Sequence, residues 1–198
     1  RGVVVLSDEI HQDIVYSGAK HVPLPLAAPE LDPLSITLLA PSKTFNTAGL
    51  CASAWVAKDK KIAVKMGKAL VAVHCSNVNM LALTALETAY RKGAPWLDQL
   101  VAYLEKNLDL VESFLRERLP KVKLKHPDGT FVFWLDFREY GMDDAKLQRV
   151  LVEEARVALN PGAKFGGNSK GFARLNIGCP KSMLSEGLSR IETAFAKL

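Results

Sequence analysis

Cysteine is scarce in this chain, and the few residues present are scattered. Cys51, Cys75 and Cys179 form no CxxC pair. An odd, widely spaced set excludes a disulfide framework and a structural zinc site, and fits reduced thiols in a cytoplasmic protein. Long hydrophobic runs are also missing. The longest, 3–6 and 69–73, fall far short of a bilayer span, so no membrane partner is expected. The opening residues lack the cleavable apolar stretch of a signal peptide. There is no low-complexity tract, no internal repeat, and no P-loop, GxSxG or GxGxxG motif. His11, His21, His74 and His126 have no metal-ligand spacing, so no metal is expected.

What is present belongs to a globular protein. Hydrophobic residues make up 48% and charged residues 24% of 198 positions, enough for one compact domain or two small lobes. The net charge of +5 raises nucleic acid or an anionic ligand as partners. The basic residues are interleaved with acids, however, and even the cluster Lys58, Lys60 and Lys61 contains Asp59. A solvated face accounts for it first and a small anionic substrate or cofactor second; no nucleic-acid partner is expected. The chain opens with Arg1-Gly2 and enters a strand-like run without an initiator Met, which points to a piece of a longer protein.

Residues 3–7 are apolar and β-branched, as a parallel strand buried on both faces would be. Pro23, Pro25, Pro29 and Pro33 mark an irregular connection, followed by short strands at 35–39 and 52–57. Residues 58–73 predict a helix with Asp59 near its start, and 78–91 a second. Pro95 fits the first turn of a long helix. Leu97, Leu100, Leu104, Leu108, Val111 and Leu115 mark its apolar face, and Pro120 stops it. Beyond it the pattern predicts an edge strand at 122–125, a turn at Asp128-Gly129 and a strand at 131–137. A helix at 143–156, a short strand at 157–159, a strand at 172–177 and a final helix capped by Ser182 complete it. The order β-β-α-β-β-α describes a small α+β lobe after an α/β layer.

Three places depart from what packing alone would choose. The first is Ser7-Asp8-Glu9-Ile10-His11, just past a strand end, where open α/β sheets bind ligands. Asp8 could hold a cationic ring nitrogen, or simply cap a turn. The second is Ala40-Pro41-Ser42-Lys43-Thr44-Phe45-Asn46. A partly desolvated lysine is a usable amine nucleophile, and Ser42 and Thr44 could bind phosphate oxygens; a plain surface lysine is the bland alternative. The third is Arg174, in a strand-like segment preceded by Gly162, Gly166, Gly167 and Gly171. Its guanidinium calls for a carboxylate or phosphate, either a buried Asp or Glu of the fold or a substrate's carboxylate.

Together the three places resemble the fold-type I pyridoxal-phosphate (PLP) enzymes, the class I/II aminotransferase superfamily. Asp8 and Lys43, 35 positions apart, stand in the order and spacing of that family's pyridine-nitrogen aspartate and Schiff-base lysine. Gly171-Phe-Ala-Arg-Leu-Asn-Ile-Gly is similar to its strand carrying the substrate-carboxylate arginine, here Arg174. Ser7-Asp-Glu-Ile-His-Gln-Asp and Ser42-Lys-Thr-Phe-Asn-Thr-Ala-Gly-Leu resemble MalY/PatB-type cystathionine β-lyases and related C–S lyases. His11 stands where most class I aminotransferases carry the Tyr that meets the cofactor's phenolic oxygen. Cys51 stands where most carry a phosphate-binding Arg, and Ala40 where relatives often have Ser.

The resemblance implies an α/β fold. Residues 1–93 would be the second half of a PLP-transferase large domain with a mostly parallel sheet, 94–118 a linking helix, and 119–198 an α+β small domain. It implies pyridoxal 5′-phosphate bound by Asp8, His11, Ser42 and Lys43. Lys43 is then the catalytic amine that removes the substrate's Cα proton, and Arg174 holds the α-carboxylate. The implied activity is C–S β-lysis of a small sulfur amino acid, by a full-length homodimer. An aminotransferase is the alternative within the same chemistry, and a non-catalytic regulatory or interaction protein the alternative outside it. In this family the Gly-rich phosphate turn, the ring-stacking aromatic and the Asn on the ring oxygen come from the first half of the chain. The 198 residues alone are therefore expected to be inactive.

Overall fold

A computed structural model describes residues 2–198. The chain divides into two compact units, 1–101 and 102–198.

The first unit begins with β1 (Val5–Asp8) and the single helical turn α1 (Leu24–Ala27), then a 3-10 segment (Pro29–Leu34). β2 (Ser35–Leu39), the one-turn helix α2 (Pro41–Thr44) and β3 (Ala54–Val56) follow. The helices α3 (Lys60–Ala72) and α4 (Met80–Lys92) come next, and α5 (Ala94–Arg118) begins here. The sheet order is β1-β2-β3. β1 runs parallel to β2, with Asp8 opposite Leu38, while β3 is antiparallel to β2.

Among the described residues this sheet holds one parallel and one antiparallel pair. One expectation changes. β1 is not buried on both faces: its burial alternates, and Leu6 is 62% exposed. Among the described residues nothing covers the face that Leu6 presents.

Local signals explain the helices. The Asp59 carboxylate accepts from the N–H groups of Lys61 and Ile62 at 2.8 and 2.9 Å and so caps α3. Asn79 caps α4 in the same way, through Ala82 N–H at 2.8 Å. α5 has Pro95 in its first turn and runs for 25 residues, about 37 Å at the helical rise.

In the second unit β4 (Lys123–Leu124), β5 (Val132–Asp136), α6 (Asp144–Arg149), β6 (Asn160–Pro161), β7 (Phe172–Asn176) and α7 (Lys181–Phe195) form one layer of helices on one sheet. The strand order is β4-β5-β7-β6, with every neighbouring pair antiparallel. Phe133, Leu135, Ala173 and Leu175 face inward from the strands. Leu104, Leu108, Val111 and Leu115 of α5 are buried at spacings of three and four, as are Leu184, Leu188 and Ile191 of α7.

The expected helix 143–156 ends at Arg149 and continues as a π turn, Val150–Glu154. The strand expected at 157–159 lies at Asn160–Pro161 and is short, because proline cannot donate to the ladder. α7 starts at Lys181 rather than after a Ser182 cap. Its first N–H is satisfied from a distance, by the Tyr103 hydroxyl at 2.7 Å.

Candidate active site

β1 and β2 are parallel, so both chains leave the sheet at the same end. Asp8 is the last residue of β1, and Glu9 N–H continues the ladder to Leu38 O at 3.0 Å. Lys43 lies five residues past Leu38, on α2. The structure thus brings Asp8 and Lys43 to neighbouring strand ends.

The acid buried there is Glu9, not Asp8. Glu9 is 6% exposed and accepts from Ser7 Oγ at 2.9 Å and Leu24 N–H at 3.0 Å, and pairs with His21 Nε2 at 2.8 Å. Burial alone would raise its pKa. The donors Leu24, His21 and Ser7 outweigh that and hold it below the usual carboxylate range. Asp8 is exposed. One of its oxygens caps a turn, accepting from Ile10 N–H at 3.2 Å, and the other has no hydrogen-bond partner among the described residues. His11 is half-buried, and its carbonyl accepts from Ile14 N–H at 3.1 Å.

Lys43 is exposed, with no hydrogen bond or ion pair among the described residues. Ser42 is half-buried beside it. Thr44 is a correction: it is fully buried, and its hydroxyl donates to Asp13 Oδ2 at 2.8 Å, leaving it unavailable to a phosphate. A cleft of about 1120 Å³ opens at these strand ends, lined by Asp8, Ala40, Cys51, Trp55, Leu70 and His74 among others. Lys43 and Ser42 do not line it.

Arg174 sits on β7, opposite Trp134 on one side and Asn160 on the other. Its guanidinium stacks on Phe165 at 4.6 Å, and Phe165 meets Trp134 edge-on at 5.1 Å. Asn160 Oδ1 accepts from its Nη2 at a long 3.4 Å, and its buried Nε has no partner. No acid lies within ion-pair distance among the described residues. Arg138 shows the contrast: Asp136 grips it through two oxygens at 2.9 and 2.7 Å, and that contact pulls the Asp136 carboxyl down. The fold-internal carboxylate considered for Arg174 is therefore not there. The turn before β7 is fixed by Gly162, where a Cβ would come within 2.0 Å of Ser169 O.

Residues 1–191 match the family model for aminotransferase class I and II. The chain belongs to that family. As a member of it, the chain is 45% identical to cystathionine β-lyase PatB of Bacillus subtilis, over 98% of this chain and 50% of that protein. It is 36% identical to protein MalY of Escherichia coli, over 98% of this chain and 49% of that one. Its fold is similar to the crystal structure of cystalysin from Treponema denticola, which contains pyridoxal 5′-phosphate. The TM-score is 0.94 at 31% identity, over 98% of this chain and 49% of cystalysin. The chain spans about half the length of the curated relatives it matches.

Several side chains of this family member were not singled out from the sequence. The Glu9–His21 pair and the Asp13–Thr44 bond join residues 12 and 31 positions apart, and neither has a local signature. Phe165, within the glycine-rich stretch before Arg174, is another, although an aromatic near an expected arginine is a usable signal. Asn160 could have been found only through the strand register.

Proposed function

We propose that this chain is part of a pyridoxal-phosphate-dependent C–S β-lyase acting on sulfur amino acids such as cystathionine. The observation that carries the reading is the placing of Asp8 and Lys43 at neighbouring strand ends, with the Lys43 amine unpartnered among the described residues. This donor set fits the cofactor. It offers an amine for the aldehyde, a carboxylate oxygen for the ring nitrogen, and the Ser42 hydroxyl for phosphate. His11, three residues past Asp8, belongs to the same set. Arg174, lacking an acid partner, fits the α-carboxylate of an amino acid.

When bound, pyridoxal phosphate supplies an electron sink for the pair left at the substrate's Cα. Asp8 holds the ring-nitrogen proton through a charge-assisted hydrogen bond. Lys43 Nζ is the base that takes the Cα proton. The Arg174 fork would bind the carboxylate bidentately. The net reaction would consume one water and release a thiol, pyruvate and ammonia.

We assign residues 1–93 to the large domain, 94–118 to the linking helix and 119–198 to the small domain. The full-length form is assigned as a cytoplasmic homodimer; the exposed thiols Cys51 and Cys75 fit a reducing compartment.

The test is the full-length protein with cystathionine, followed by pyruvate release. Steady pyruvate formation is expected, falling about 10³-fold or more in Lys43→Ala, the scale of losing a positioned base. Keto-acid formation by amino-group exchange without pyruvate supports the second reading, an aminotransferase, the activity for which the matched family model is named.

A further inference from the structure

The Lys43 amine ends a long, flexible side chain, so its position depends on how firmly the backbone beneath it is held. α2 is only one turn, with Phe45 N–H bonded to Pro41 O at 2.8 Å. A turn this short has little stability of its own. Two side chains next to Lys43 anchor it. Thr44 points inward, is fully buried, and donates to Asp13 at 2.8 Å. Phe45 seats between Tyr90, edge-on at 5.9 Å, and Trp96 at 5.8 Å. The Phe45 ring occupies the space that a Cβ on Gly93 would need, 2.3 Å away.

Asp13 lies five residues past Asp8, in the segment leaving β1. The Asp13–Thr44 bond therefore ties the segment after Asp8 to the turn that carries Lys43. These are the two groups that must address one ring. Burial pushes the Tyr90 phenol up, and the Asp13 charge adds to it, consistent with a carboxylate facing this cluster.

We propose that Asp13 and Thr44 form a strut that sets the direction in which Lys43 leaves the chain, making Asp13 a positioning residue for the amine. The proposal rests on the reading of Lys43 as the cofactor-bearing lysine. The charge of Asp13 strengthens the strut, since hydrogen bonds to an ionised acceptor exceed neutral ones. Neither residue bonds to the Lys43 amine among the described residues.

The test uses the full-length protein without cofactor and two probes. Pyridoxal phosphate can join the Lys43 amine with loss of one water. Pyridoxine 5′-phosphate has an alcohol in place of the aldehyde and can only bind. Thr44→Val is expected to slow covalent bond formation about tenfold or more, the scale of one hydrogen bond to a charged acceptor. Its affinity for pyridoxine 5′-phosphate stays unchanged. Thr44→Ser keeps the hydroxyl and restores the rate. Asp13→Asn keeps an accepting oxygen without the charge and falls between.

A wild-type rate in Thr44→Val overturns the strut, and so does an equal loss of pyridoxine 5′-phosphate affinity, which marks a merely structural role. If Thr44→Val does not fold, judged by thermal melting, Asp13→Asn against Thr44→Ser makes the same comparison. A wild-type protein that forms no bond at Lys43 overturns the reading of the lysine itself, and the strut with it.

Discussion

Glu9 shows how a carboxylate next to Asp8, the one proposed to hold the cofactor, can serve the fold instead. It is buried, yet three donors keep it ionised below the usual carboxylate range. A folded-state pKa below the unfolded value means the stabilisation is complete above the unfolded pKa and is lost as pH falls through the folded one. Glu9→Gln should therefore cost about 1–3 kcal/mol at neutral pH, with the gap to wild type shrinking below about pH 4.3. Denaturant melts at pH 7 and pH 3.5 measure it; a gap that does not change with pH refutes the assignment. At Arg174, Lys keeps the charge but loses the fork. Arg174→Lys in the full-length protein should lower kcat/KM for an amino acid by roughly 30-fold or more, mainly through KM. Wild-type kinetics in that variant would remove Arg174 from substrate binding. Asp8, Lys43 and Arg174 were legible in the sequence as unusual residues at strand ends or within a strand. That Arg174 lacks an internal acid was not, because partner choice is decided by the register of three strands.

Elements with local signals were read well, and those closed by distant partners were not. α3 carries its own start signal in Asp59, and β2 at 35–39 was expected at the bounds observed. α7 was misplaced because its first N–H is satisfied by Tyr103, 78 positions away. β1 was taken as an interior strand from its apolar run, but burial depends on neighbours that periodicity does not reveal. The Asp59 cap gives a direct check at this scale. Asp59→Ala should destabilise the first unit by about 1 kcal/mol, read from the denaturation midpoint. A change well under half of that would mean α3 is held by packing alone, although none of its residues is buried.

Across the whole molecule, the β-β-α-β-β-α order of the second unit was legible, while its strand order β4-β5-β7-β6 was not, since return connections leave no sequence mark. Large apolar residues remain exposed in the first unit, including Met80 at 80% and Leu81 at 77%, in a chain that spans half the length of its relatives. The central assignment, Lys43 as the lysine that bears the cofactor, therefore belongs to the full-length form. The most direct measurement is borohydride reduction of that form loaded with pyridoxal phosphate, followed by peptide mass spectrometry. The expected result is one cofactor mass per chain, on the peptide containing Lys43. A label spread evenly over surface lysines such as Lys58, Lys60 and Lys61, or no label at all, would contradict it.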